Sequence, residues 1–170
     1  QPNYFPWPGY FFKILKSDIF VFLDDVQYSN NSFTCRTNVL EYKSKSWLSV
    51  PIKKKMGQNI NQILIADLEW KKKHLSKIKN CYLQTEYFSV LWDKINLIYD
   101  SLYEINISEI NKVIIITLSK WLGYKTEFFS SSSLNLNNNL RGEDKLIKII
   151  KHFNADIYLS GEGGKNYQEK

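Results

Sequence analysis

The chain begins with Gln1-Pro2-Asn3-Tyr4-Phe5-Pro6-Trp7-Pro8-Gly9-Tyr10, which holds three of its four prolines. Proline fixes φ and lacks an amide hydrogen, so this stretch predicts a stiff, extended loop. Pro8 suits a first helical position, and a helix is expected over 8–16. Residues 19–23, Ile-Phe-Val-Phe-Leu, form an unbroken apolar run that ends at Asp24-Asp25. That is the pattern of a strand buried on both faces. Residues 47–52 alternate and predict a second strand, and 62–66 a short third one. From 70 to 80, from 88 to 103 and from 106 to 123, apolar residues recur at spacings of three and four. Leu91, Ile95, Ile98 and Leu102 are expected on one stripe; Ile107, Ile110, Ile114, Leu118, Trp121 and Leu122 on another, closed by Gly123. A strand at 128–130, a polar Ser/Asn loop at 131–139, a helix at 143–153 and a strand at 156–160 complete the pattern.

Strands alternating with helices in this order imply an α/β layer architecture with a parallel sheet. At 170 residues and 44% hydrophobic content, the chain is expected to be one domain, with 70–123 as a mainly helical portion. With 24% charged and 15% aromatic residues it is neither a disordered tail nor a low-complexity fibre.

Charge adds one local feature. The formal net charge is +6, and residues 41–80 carry ten lysines against three acids, a net of +7, so the other 130 residues carry −1. A basic face suits an anionic partner, and it equally suits a solvated surface in a lysine-biased chain. Only Arg36 and Arg141 among the 23 basic residues are arginine. The planar, bidentate guanidinium is not replaceable by lysine, which marks both as site candidates.

Cys35 and Cys81 have no CxxC spacing and no neighbouring histidine, so neither a zinc centre nor a disulfide framework is expected, and reduced cytosolic thiols are the default. No apolar run reaches the length of a membrane span, and no secretory signal is visible. The sequence starts at Gln1 and ends in a polar stretch, and both ends are expected to be cut.

Five groups could carry chemistry. After the 156–160 strand comes Ser160-Gly161-Glu162-Gly163-Gly164-Lys165-Asn166-Tyr167. Its glycines permit either a sharp turn or an anion-binding nest of exposed amides; neither Walker nor GxGxxG spacing is present. Asp24 and Asp25, followed by Gln27 and Tyr28, stand where ligands bind in open α/β sheets, beyond a strand's carboxyl end. Such carboxylates can act as a base or bind a substrate hydroxyl, or one can cap the next turn. Thr34, Arg36 and Asn38 at alternate positions would share one face of an extended segment, as a recognition strip or a plain edge strand. His74 has no partner nearby in sequence and reads locally as a surface histidine. Tyr4, Phe5, Trp7 and Tyr10 sit in the proline-rich loop, where packing does not explain their density.

The opening block, Asp18-Ile-Phe-Val-Phe-Leu-Asp-Asp-Val-Gln-Tyr-Ser, Arg36-Thr-Asn38, Trp47-Leu-Ser-Val-Pro and Tyr158-Leu-Ser-Gly-Glu-Gly-Gly-Lys-Asn-Tyr together resemble the WbqC-like proteins, in family order along essentially the whole chain. The resemblance implies a cytoplasmic role in bacterial O-antigen or related surface-polysaccharide biosynthesis. It also implies a short apolar strand before Gln1 and further chain beyond the Gly-rich loop. Glu162 stands where many members have proline. A more distant similarity of pattern links residues 1–28 to the nucleotidylyltransferase-like (HUP-type) fold of pantothenate synthetase, without its HxGH motif.

Three functions are expected. The first is a cytosolic enzyme transferring an acyl or aminoacyl group to a nucleotide-activated amino sugar. In it Asp25 or His74 is the base, and Arg36 and Asn38 are donors. Asn3, Tyr4, Asp24 and Gln27 line the mouth, with Ser160, Gly161, Gly163, Gly164, Lys165 and Tyr167 as the anion loop. Its partner is then an anionic small molecule, a nucleotide sugar or acyl donor, and its cofactor is left open. The second is a non-catalytic partner that presents substrate to another enzyme. The third, a nucleic-acid binder using the basic stretch, has no recognised motif behind it.

Overall fold

The computed structural model describes residues 1–103, 105–136 and 140–161. Helix α1 (Pro8–Leu15) follows the proline-rich loop, with Pro8 at its first turn as expected. It leads into β1 (Ile19–Phe22), which pairs in parallel with β6 (Glu127–Ser130), Ile19 opposite Glu127 and Phe22 opposite Ser130. Between them lie β2 (Arg36–Glu41), β3 (Ser44–Ser49), β4 (Ile52–Lys53) and β5 (Leu64–Ile65), then α2 (Trp70–Tyr82), α3 (Phe88–Asp100) and α4 (Ile107–Trp121). A 3₁₀ turn (Ser131–Ser133) and α5 (Gly142–His152) come after β6. The protein is therefore mixed α/β with a small parallel sheet.

Four expectations are corrected. The stretch 47–52 is not one strand of a parallel layer. Its first half belongs to β3, antiparallel to β2, and Pro51, which cannot donate to a ladder, separates it from β4. Residues 156–160 form no strand: Ile157 is 85% exposed, and this segment lies across a groove of about 590 Å³ from β1. On α3 the buried side is Phe88, Ile98 and Tyr99, with Trp92 and Ile95 packed alongside, and Leu91 faces solvent. Trp121 and Leu122, at the end of α4, are also exposed.

Helix α4 is the shared wall of two apolar clusters. Ile107, Ile110 and Ile114 pack with Tyr4, Trp70, Ile98 and the buried face of the β2–β3 hairpin. Ile115, one residue on, packs with Tyr10, Ile14 and Phe22 beneath the parallel pair. The helix starts where the Asn106 side chain accepts from the Ser108 amide at 2.8 Å. It stops at Gly123, whose φ of +76° suits glycine alone without strain.

Candidate functional site

Strands β1 and β6 run in parallel and end together, so the segments leaving them meet beyond the carboxyl end of the sheet. Asp24-Asp25 leaves β1, and Ser131-Ser132 leaves β6. Asp24 is 1% exposed, and its carboxylate receives three donors: Lys112 Nζ at 2.7 Å, the Ser132 hydroxyl at 2.8 Å and the Ser132 amide at 3.0 Å, while the Ser131 hydroxyl, 3.3 Å away, gives its one hydrogen to Asp25. Lys112 enters from α4 and also holds Glu109 at 2.8 Å, one helical turn away. Asp25 takes Lys145 Nζ of α5 at 2.6 Å and a hydrogen bond from the Ser131 hydroxyl. Two adjacent aspartates thus have a lysine each, drawn from different helices.

Burial alone would push the Asp24 carboxyl up. The Lys112 ammonium and the Ser132 hydroxyl and amide outweigh it and hold the pKa below the ordinary value of 3.8. Burial likewise opposes the charge on Lys112, and Asp24 and Glu109 overcome it, so its pKa is raised. Both groups are ionised at neutral pH, and Asp24 has no spare capacity to take a proton. Asp25 is different in access: its side chain is 21% exposed, against 1% for Asp24. Ser132, beside it, is exposed. The reachable surface of the cluster is therefore the Asp25 carboxylate and the Ser132 hydroxyl, with the Lys145 ammonium buried behind Asp25.

Among the other predicted residues, His74 is in the interior rather than on the surface. Its Nε2 faces the Ser49 carbonyl at 2.9 Å, which accepts only, so Nε2 carries the hydrogen. Its Nδ1 then accepts from the Tyr4 hydroxyl at 2.8 Å, and the Tyr99 hydroxyl donates to Tyr4 at 2.7 Å. Burial is the main cause that lowers the His74 pKa from 6.5 to about 4. Tyr4 is fully buried within this chain of hydrogen bonds and lines no mouth. Asn3 is half-buried in the opening loop, and Gln27 is exposed, bridging to Asn59. Arg36 and Asn38 lie on the outer face of the β2–β3 hairpin and share no hydrogen bond or ion pair with Asp24 or Asp25 among the described residues. Thr34 is buried before β2, and Arg141 is exposed at the start of α5. Ser160 is exposed, and Gly161 leaves only 3.4 Å between a built Cβ and Lys13 Nζ. Gly163, Gly164, Lys165 and Tyr167 lie outside the described residues.

Lys112, Lys145, Ser131 and Ser132 were not among the sequence candidates. One signal for Lys112 was present: Ser108, Asn111, Lys112 and Ser119 recur at helical spacing beside the buried isoleucines of α4, and all four are buried. Lys145 likewise stands four residues before the buried Ile149 of α5.

A two-stranded parallel sheet flanked by helices, with charged groups gathered beyond its carboxyl end, defines a mixed α/β protein with its candidate site at the usual place for that class. The chain belongs to the WbqC-like protein family, whose model matches residues 1–170. It is similar to the uncharacterized protein Rv1507c of Mycobacterium tuberculosis, 27% identical over 172 residues that cover all of this chain and 74% of the relative. No solved structure matches it. Among the described residues no helix is long and apolar enough to cross a membrane.

Proposed function

We propose that the protein is a cytoplasmic enzyme of bacterial surface-polysaccharide biosynthesis that transfers an acyl or aminoacyl group to the amine of a nucleotide-activated amino sugar. The observation that carries this reading is the part-exposed Asp25 carboxylate, backed by the buried Lys145, beside the buried Asp24–Lys112 pair. A sugar amine attacks the carbonyl of an activated acyl donor, the C–N bond forms, and the leaving group departs with its electron pair. Asp25 receives the amine proton, and the Lys145 ammonium faces the negative charge that develops on the carbonyl oxygen. Ser131, whose hydroxyl donates to Asp25, holds that carboxylate in place, a positioning role. The resemblance to the WbqC-like proteins is what supports the pathway in this reading, and the access to Asp25 is what supports the chemistry.

The test is a panel of nucleotide-activated amino sugars with activated acyl donors, read by melting temperature and by mass spectrometry of the amide product. A sugar that raises the melting temperature and is converted to its amide, with conversion lost in Asp25→Asn, supports the reading. Undiminished conversion by Asp25→Asn, or a panel in which nothing binds, overturns it.

A further inference from the structure

The hairpin β2–β3 buries one face and leaves the other open. Thr37, Val39, Ser46 and Leu48 point inward, whereas Arg36, Asn38, Trp47 and Ser49 point outward, with Asn38 directly opposite Trp47 and Arg36 opposite Ser49. The Arg36 guanidinium carbon lies 3.9 Å from the centre of the Trp47 ring, and its Nη2 donates to the Asn31 carbonyl at 2.5 Å. Phe33 leans on the same tryptophan with ring centres 5.9 Å apart, and it is 51% exposed. One of the two arginines in the chain is thus locked in a fixed orientation on an open surface.

The group is short of partners. Among the described residues no carboxylate pairs with Arg36. Its Nε, the Ser32 hydroxyl and the hydroxyl of Thr34, a residue only 1% exposed, are buried with no hydrogen bond. A guanidinium held by Asn31 and Trp47 and without a counter-ion among the described residues suits an oxyanion, because charge-assisted forked hydrogen bonds are the strong ones. The half-exposed faces of Trp47 and Phe33 suit the C–H face of a pyranose ring, and Asn38 and Ser49 suit its hydroxyls.

We infer that the outer face of the β2–β3 hairpin is a binding shelf for a sugar that bears an oxyanion, a carboxylate or a phosphate, with Arg36 as its anchor. The shelf goes beyond the acyl-transfer reading. It shares no residue with the Asp24–Lys112 and Asp25–Lys145 pairs, so it stands or falls separately. Lysine would keep the charge and lose both the fork and the stacking on Trp47, which is why arginine suits this position in a chain with only two arginines among 23 basic residues.

The test is saturation-transfer NMR and calorimetry of the intact protein with galacturonate, galactose 1-phosphate and uncharged galactose, without any acyl donor. Binding of either charged sugar at least about tenfold tighter than galactose, reduced about tenfold in Arg36→Lys with unchanged melting temperature, supports the shelf. The two charged sugars separate carboxylate from phosphate. Equal binding of galactose, an Arg36→Lys variant with full affinity, or no binding of any of the three overturns it. So does displacement by a short oligothymidine whose own binding falls steeply with salt, which would make the surface a single-strand platform. Because Trp47→Ala could weaken the hairpin, Trp47→Phe serves as the second variant, expected to lower affinity while the hairpin remains folded by circular dichroism.

Discussion

Lys112 Nζ lies 2.7 Å from Asp24 Oδ2, an ion pair between a carboxylate 1% exposed and a lysine 8% exposed. Removing Lys112 leaves the buried Asp24 carboxylate with neutral donors alone, the Ser132 hydroxyl and amide, and no counter-charge. Lys112→Met is therefore expected to cost about 3 kcal/mol of folding stability, and the double change Asp24→Asn with Lys112→Met much less than the sum of the singles. Urea denaturation of the four proteins in the cycle checks this. The pair's pH window comes from its two shifts. Asp24, held low, contributes stability above 3.8 that is lost as pH falls through its folded value; Lys112, held high, contributes stability that is lost as pH rises through its own value above 10.5.

His74 gives a second pH dependence, at a milder acidity. The folded protein holds the neutral ring, with a pKa of about 4 against 6.5 for the free side chain. A depressed base contributes stability above 6.5 that is lost as pH falls towards 4, about 3 kcal/mol in all. Denaturation midpoints should fall across that interval, and His74→Gln should flatten the fall. An equal fall in His74→Gln would place the titrating group elsewhere.

Tyr4 sits at the centre of the hydrogen-bonded chain that ends on His74. Tyr4→Phe strands both the His74 Nδ1 and the Tyr99 hydroxyl, whereas Tyr99→Phe removes one donor from a group still bonded to His74. The first is expected to cost about 2 kcal/mol and the second about 1 kcal/mol. Thermal unfolding of both variants orders them.

Much of the fold was legible because it depends on local pattern. The run Ile19 to Phe22 forms the expected strand, although it is not buried on both faces: Ile19, Phe20 and Val21 are half-buried beside the groove and only Phe22 is fully buried, whereas Pro8 and Gly123 mark helix ends by backbone chemistry alone. The errors arose where one sequence permits two faces. Helix α3 is apolar on several sides, so a stripe through Leu91 and one through Phe88 and Trp92 are both available, and only packing against α4 and the core decides. At the site, Asp24 and Asp25 were legible as residues beyond a strand's carboxyl end. Their lysines, 88 and 120 positions away in sequence, were not. His74 looked like a surface residue because its partners Tyr4, Ser49 and Tyr99 are all distant along the chain.

The turn of the β2–β3 hairpin offers a stabilising change. Tyr42 and Lys43 both adopt positive φ, +46° and +65°, between strands that end at Glu41 and resume at Ser44. A two-residue hairpin turn with both centres in the left-handed region is the geometry that favours Asn-Gly. Neither residue makes a buried contact there, and Tyr42 is 97% exposed. Lys43→Gly relieves the strain in the folded state but loosens the unfolded chain, and Tyr42→Asn relieves strain without that entropic penalty. Together they are expected to stabilise the protein by about 1 kcal/mol, read as a higher urea midpoint at unchanged slope.

Asn111 tests how the opening loop is fastened. Its side-chain amide donates to the Pro2 carbonyl at 3.0 Å and to the Thr34 carbonyl at 2.7 Å, with the residue fully buried. One amide group therefore ties the loop before α1 and the turn before β2 to the middle of α4, next to Lys112. Asn111→Ala removes both bonds, leaves two buried carbonyls without their donor and opens a small void, an expected cost of about 2–3 kcal/mol. The loss should be local first. The Tyr4 amide, which donates to the Phe33 carbonyl at 2.8 Å across the same junction, should exchange its hydrogen at least about tenfold faster, while amides within β6 keep their protection. Uniform loss of protection across both regions would show instead that the junction and the parallel pair unfold as one unit.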